Sequence, residues 1–123
     1  MAPPLVLIVQ AEAEIAYGLR KILQERGYNA RTALSGFEAL GIVHTTQPAA
    51  ILLDLDMPGF SGLKLLQRIQ EHAPESRILA VTAHVEEYQN LASKMGVVEV
   101  LQKGTPVDTL LSHLISLVPA PSA

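Results

Sequence analysis

The feature that most constrains the fold of this chain is a regular alternation of short apolar runs with longer segments of helical period. In most of the short runs the apolar residues follow one another directly, which is typical of strands covered on both faces of a parallel sheet. Connections between such strands should be right-handed. The predicted strands are Leu5–Val9, a weaker Asn29–Ala33, Ala49–Leu53, Arg77–Val81 and Val98–Gln102.

Each short run is followed by a segment whose apolar residues recur at helical spacing. In the first segment, a stripe from Ile15 to Leu23 is followed by Gly27, which is typical of a helix C-terminus. Ser61 stands where it can cap the third segment. Five strand–helix units in a row predict a doubly wound α/β domain, with a five-stranded parallel sheet and five helices.

Length and composition support one compact domain. With 123 residues, 49% apolar and 17% charged, the chain can bury a core and does not resemble a disordered protein. The formal net charge of −3 gives no reason to expect nucleic-acid binding, and no apolar run has the length of a membrane span. We predict a domain over residues 1–118, a proline-containing tail or linker over residues 119–123, and a cytoplasmic location.

Polar side chains stand at the carboxyl ends of three predicted strands. Asp54 follows the third strand, Thr82 the fourth and Lys103 the fifth. In an open parallel sheet the functional groups gather at this edge, so we expect these side chains to converge. A carboxylate can accept a phosphoryl group, a lysine can neutralise the added charge, and a hydroxyl can donate to a phosphoryl oxygen. The set therefore has the chemistry to make and hold an acyl phosphate.

The same segments resemble the response-regulator receiver domains of two-component signalling, a CheY-like family. The resemblance extends from Leu5 to about Val118 in the order and spacing of the family. The residues that carry it are Asp-Leu-Asp-Met-Pro-Gly from Asp54 to Gly59 with Gly62-Leu63, Gly27-Tyr28, Gly36-Phe37-Glu38-Ala39-Leu40, Val81-Thr82-Ala83, and Lys103.

The resemblance implies a fold and a set of roles. The strand order would be the flavodoxin-like 2-1-3-4-5. Asp54 would be the aspartate that a histidine kinase phosphorylates, Thr82 the switch hydroxyl, and Lys103 the lysine that pairs with the phosphoryl group. Asp56 would give its backbone carbonyl to a bound Mg²⁺ ion, and we expect its side chain to face solvent.

The chain departs from the family pattern at the end of the first strand. The family usually has two acidic residues there, whereas this chain has Gln10 and Ala11. Mg²⁺ takes an octahedron of oxygens that usually includes one or two carboxylates. What remains is Asp54, the carbonyl of Asp56 and, as a weak candidate, the amide oxygen of Gln10. The Mg²⁺ that the resemblance implies should therefore bind weakly, and phosphorylation should be slow or absent.

Two functions from different classes are consistent with these residues. The first is a receiver that accepts a phosphoryl group on Asp54 and relays the signal. The second is a pseudo-receiver, a domain of the same fold that binds partners without a phosphorylation cycle, and Gln10 with Ala11 favours it.

Simpler or rival explanations of the acidic motif are weaker. A strand-end aspartate often does no more than accept hydrogen bonds in a turn, but this explanation ignores Thr82 and Lys103. The motif Asp-Leu-Asp also resembles that of haloacid-dehalogenase-type phosphatases, where it ends the first strand of a longer chain. Here Asp54 ends the third predicted strand. We therefore predict that the domain is not an enzyme.

The resemblance also implies partners. These are a sensor histidine kinase or a phosphotransfer protein, and an effector protein or domain that docks around the fourth helix and the fifth strand. The same face allows a weak homodimer. Neither direct nucleic-acid binding nor membrane association is expected.

Overall fold

The structure, a computed structural model, describes residues 4–118, without the side chains of residues 91–93. The predicted tail over residues 119–123 lies outside the described residues. Strands and helices alternate strictly along the chain. They are β1 (Leu5–Val9), α1 (Ala13–Glu25), β2 (Asn29–Ala33), α2 (Gly36–Thr45), β3 (Ala50–Asp54), α3 (Gly62–His72), β4 (Arg77–Thr82), α4 (Val85–Lys94), β5 (Val97–Gln102) and α5 (Val107–Ser116).

The five strands form one parallel sheet in the order β2-β1-β3-β4-β5. This confirms the predicted doubly wound α/β fold and its strand order. The third and fourth strands each extend one residue beyond the predicted end, so that Asp54 and Thr82 are themselves the last residues of their strands. Their backbones are therefore fixed by the sheet, and the sheet sets the positions from which their side chains project.

The core lies on both faces of the sheet, because successive strand residues point to opposite faces. On one face, side chains such as Leu7 and Leu53 pack against α2 and α3. On the other face, side chains such as Ile8 and Leu52 pack against α1 and α5. All five residues of β3 are buried, which explains why its apolar run is continuous. No helix within residues 4–118 combines the length and apolar character needed to cross a membrane.

The loop between β3 and α3 is held close to the sheet. The hydroxyl of Ser61 accepts a hydrogen bond from the backbone N–H of Lys64 at 3.2 Å, so Ser61 is the predicted cap of α3. A Cβ atom at Gly62 would collide with the backbone carbonyl of Leu55. Glycine therefore allows the start of α3 to approach the residue that follows Asp54.

Candidate functional site

The carboxyl ends of β3, β4 and β5 bring the three predicted site residues to one edge of the sheet. Asp54 and Thr82 are buried, and Lys103 directly follows β5. The backbone N–H of Lys103 donates to the carbonyl of Thr82 at 2.9 Å, and that of Leu55 donates to the carbonyl of Val81 at 2.9 Å. These bonds continue the sheet pairing one residue past the strand ends. The side chains therefore project from a fixed backbone frame.

The Asp54 carboxylate interacts with a turn and with a cation. Its Oδ1 accepts a hydrogen bond from the backbone N–H of Asp56 at 2.8 Å, and its Oδ2 lies 3.3 Å from the Nζ of Lys103. Asp54 therefore accepts a hydrogen bond in a turn, as the simpler explanation requires, and it also lies next to Lys103, as predicted. The side chain of Asp54 is only 5% exposed, so Lys103 supplies much of the compensation for its burial.

The Asp56 side chain turns into the site, so the prediction that it faces solvent is wrong. Its Oδ1 accepts a hydrogen bond from the hydroxyl of Thr82 at 2.7 Å, and its Oδ2 accepts one from the backbone N–H of Ala83 at 2.7 Å. The Nζ of Lys103 lies 3.6 Å from Oδ2. The carboxylate is drawn inward because two donors and a cation meet there and offset its loss of water.

The Thr82 hydroxyl is held in one orientation. It donates to Asp56 and accepts a hydrogen bond from the backbone N–H of His84 at 3.0 Å. Thr82 is fully buried, so water does not compete for this hydroxyl. Thr82 is therefore joined to Asp56 rather than directly to Asp54.

The surroundings of Asp56 favour its ionised form. Burial by itself would raise the pKa of this carboxyl group. The hydrogen bonds from Ala83 and Thr82 and the charges of Lys103 and His84 outweigh that effect and lower the pKa below its usual value. The phenol of Tyr88 on α4 is affected in the opposite sense. Burial raises its pKa first, and the negative charges of Asp56 and Glu87 raise it further.

The side-chain oxygens expected to bind Mg²⁺ are engaged in contacts within the protein. The Oε1 of Gln10 accepts a hydrogen bond from the backbone N–H of Glu12 at 3.2 Å, so this oxygen is engaged in the loop after β1. The carboxylates of Asp54 and Asp56 already have protein donors. Within residues 4–118, no group of three or more histidine, cysteine, aspartate or glutamate side chains is arranged to hold a metal ion. Weak Mg²⁺ binding remains a prediction.

A cavity of about 380 Å³ lies beside Asp54 between α1 and α5. Gln10 and Lys103 line it together with Asp54, and apolar side chains such as Ile15 and Val107 form the rest of its wall. A small molecule can therefore approach Asp54 from this side, although the carboxylate is nearly buried.

Replacing Lys103 by methionine is expected to lower the free energy of unfolding by about 2–3 kcal/mol, as measured by urea denaturation. The change removes the cation within 4 Å of both carboxylates and leaves their negative charges uncompensated. The loss should be smaller than for a fully buried pair because the Lys103 side chain is 36% exposed. The double variant Lys103→Met/Asp54→Asn should regain a large part of the loss. Lys64→Met, at an exposed position on α3, is the control, and equal effects of the two lysine variants would contradict this account.

Comparison with known proteins identifies the family. A sequence profile described as the response regulator receiver domain matches residues 6–115. The transcriptional regulatory protein DltR of Streptococcus agalactiae is 29% identical over 110 residues, which are 89% of this chain and 49% of DltR. The chain thus spans about half the length of such curated relatives.

Two solved structures share the fold over nearly the whole chain. A response regulator from Burkholderia pseudomallei, with a phosphorylated aspartic acid, calcium ion and citrate, is 28% identical with a TM-score of 0.81, and the match covers 90% of this chain and 66% of that one. The response regulator TrrA from Thermotoga maritima, in complex with Mg²⁺-BeF, is 30% identical with a TM-score of 0.77, and the match covers 94% and 99%. The chain belongs to the family of response regulator receiver domains.

Proposed function

We propose that this domain accepts a phosphoryl group on Asp54 and relays the signal to a partner. The observation that carries the proposal is the ion pair of 3.3 Å between Asp54 and Lys103, with the donors of Thr82 and Ala83 grouped around a neighbouring anion. Such a set suits an acyl phosphate, because a nucleophilic carboxylate stands next to a cation and neutral donors. The phosphorylated aspartic acid in the relative from Burkholderia pseudomallei supports the assignment.

The transfer exchanges one bond to phosphorus for another. An oxygen of Asp54 attacks the phosphorus atom, and the new P–O bond forms as the P–N bond of a phosphohistidine donor breaks. The leaving imidazole keeps the electron pair of that bond and takes up a proton. Lys103 neutralises the charge added at Asp54, while Thr82 and Ala83 supply donors for phosphoryl oxygens. The step should be slow because Gln10 and Ala11 supply no carboxylate for a divalent cation.

The proposed partners are those of a two-component pathway in the cytoplasm. A sensor histidine kinase or a phosphotransfer protein would supply the phosphoryl group. An effector protein or domain would dock around α4 and β5, where Val98 is 53% exposed, and the same face would support a weak homodimer. The relatives of about twice this length are consistent with a receiver that works beside another domain.

The direct test is phosphoryl labelling of the wild-type protein. The protein is incubated with acetyl phosphate and excess Mg²⁺, and its intact mass is measured over time. We expect the mass to rise by one phosphoryl group per chain. Reduction by borohydride followed by peptide mapping should place the modification at Asp54. Absence of any labelled protein, with the fold retained by circular dichroism, would overturn the proposal.

A phosphorylation-independent interaction domain is the second candidate. Gln10 and Ala11 favour it because they remove the usual acid pair, and the inward position of the Asp56 carboxylate favours it as well. This candidate predicts that an isolated partner binds the wild type and Asp54→Asn with equal affinity, with or without acetyl phosphate. A partner that binds only the labelled wild type would exclude it.

A further inference from the structure

We propose that the Asp56 carboxylate is a resident anion, which fills the place that a phosphoryl group on Asp54 would take and must be displaced for that group to be held. This proposal rests on the proposed function only in that a phosphoryl group on Asp54 is the anion that competes with Asp56. The contacts of Asp56 themselves stand without it.

The donors around Asp56 are of the kinds that hold a phosphoryl group. They are a hydroxyl from Thr82 at 2.7 Å, a backbone N–H from Ala83 at 2.7 Å and the ammonium of Lys103 at 3.6 Å. All three converge on the two oxygens of one carboxylate. That carboxylate is close to that of Asp54, because the Nζ of Lys103 lies 3.3 Å from the Oδ2 of Asp54 and 3.6 Å from the Oδ2 of Asp56.

The hydroxyl of Thr82 and the N–H of Ala83 cannot each serve two anions at once. A hydroxyl and a backbone N–H each have one hydrogen to donate. The hydrogens of Thr82 and Ala83 are already directed at Asp56. A phosphoryl group on Asp54 therefore gains them only if the Asp56 carboxylate moves away. Repulsion between the carboxylate and the added phosphoryl charge acts in the same direction.

The resident anion also sets the orientation of the switch hydroxyl before any transfer. Thr82 is turned toward Asp56 and is held from the other side by the N–H of His84. Phosphorylation would then exchange one anion for another at the same donors. The loop between β4 and α4 should consequently change little on phosphorylation, and removal of the Asp56 carboxylate should change it more.

The first test examines the unphosphorylated protein by nuclear magnetic resonance. In Asp56→Ala, the Ala83 amide proton should move upfield, and its exchange with solvent should accelerate by about tenfold or more, since its acceptor is lost. Asp56→Asn keeps the side-chain size and should show a smaller change in the same direction. Asp108→Asn, which removes a charge from an exposed position on α5, is the control and should leave this amide unchanged. An Ala83 amide that is the same in all four proteins would overturn the proposal.

The second test measures competition through the rate of labelling by acetyl phosphate. Asp56→Ala should be labelled about tenfold faster than the wild type, because no carboxylate has to leave. Labelling at the same rate in both proteins would overturn the competition while leaving the proposed function intact. If neither protein is labelled, the proposed function fails, and the Ala83 amide alone decides whether Asp56 is the resident anion.

Discussion

Asp54→Asn is expected to abolish phosphoryl labelling, which is the largest effect among the variants considered. The amide nitrogen of asparagine is not a nucleophile at neutral pH, and its oxygen carries no charge to attack phosphorus. The variant keeps the size of the side chain, and its amide oxygen can still accept the hydrogen bond from the N–H of Asp56. The fold should therefore survive, so that loss of label reports on chemistry. Intact mass after incubation with acetyl phosphate and Mg²⁺ is the measurement.

The control for this variant is Asp108→Asn, which changes the net charge equally at an exposed position on α5. It should be labelled like the wild type. Label that persists in Asp54→Asn, and that maps to Asp56, would contradict the assignment of Asp54 as the acceptor. The two carboxylates lie close enough for this outcome to be a real alternative, because both are within 4 Å of the Nζ of Lys103.

The double variant Gln10→Asp/Ala11→Asp is expected to bind Mg²⁺ far more tightly than the wild type. Val9 pairs with Leu53, so the residues that follow Val9 stand beside Asp54 at the same edge of the sheet. Opposite unit charges at contact distance attract by about 4 kcal/mol near a protein surface. If about 3 kcal/mol remains after the loss of bound water, the affinity rises on the order of 100-fold. Calorimetric titration with Mg²⁺ measures the change.

A neutral double variant, Gln10→Asn/Ala11→Ser, controls for altered packing at the same two positions. It should bind Mg²⁺ as weakly as the wild type. The restored acids should also speed labelling by acetyl phosphate, because a bound cation offsets charge on the transferring group. A dissociation constant for Mg²⁺ below the millimolar range in the wild type would show that Gln10 and Ala11 weaken metal binding only slightly. The absence of the acid pair would then no longer predict slow transfer.

The fold was predictable from the sequence because burial on both faces leaves a continuous apolar run. In β3 the run leads directly into Asp54, and every residue of the strand is buried. Strand ends were less predictable. Asp54 and Thr82 are polar, so the apolar pattern predicts strands that end before them, yet the backbone pairs with the neighbouring strand through both of them. Hydrophobic pattern reports side-chain burial, whereas the end of a strand is set by backbone hydrogen bonds.

Convergence of Asp54 and Lys103 was predictable because it follows from topology alone. The orientation of the Asp56 side chain was not. Its partners are 26 and 27 residues away along the chain, at the end of β4 and in the loop that follows it, and no local pattern specifies the path of that loop. The one available signal is that the position carries a carboxylate, which seeks donors whenever it is shielded from water. The sequence shows that a carboxylate is present and needs donors, but it does not show which donors the carboxylate will contact.

The close approach of Gly62 to the carbonyl of Leu55 holds the segment that follows Asp54 against the start of α3. Leu55, the residue between Asp54 and Asp56, therefore packs directly against the first turn of α3. The opposite segment, which begins at Ala83, is joined to the site through hydrogen bonds that can be exchanged. We expect a phosphoryl group on Asp54 to change which anion the Ala83 segment contacts, with little movement of that segment, while the contact between Leu55 and α3 stays as it is.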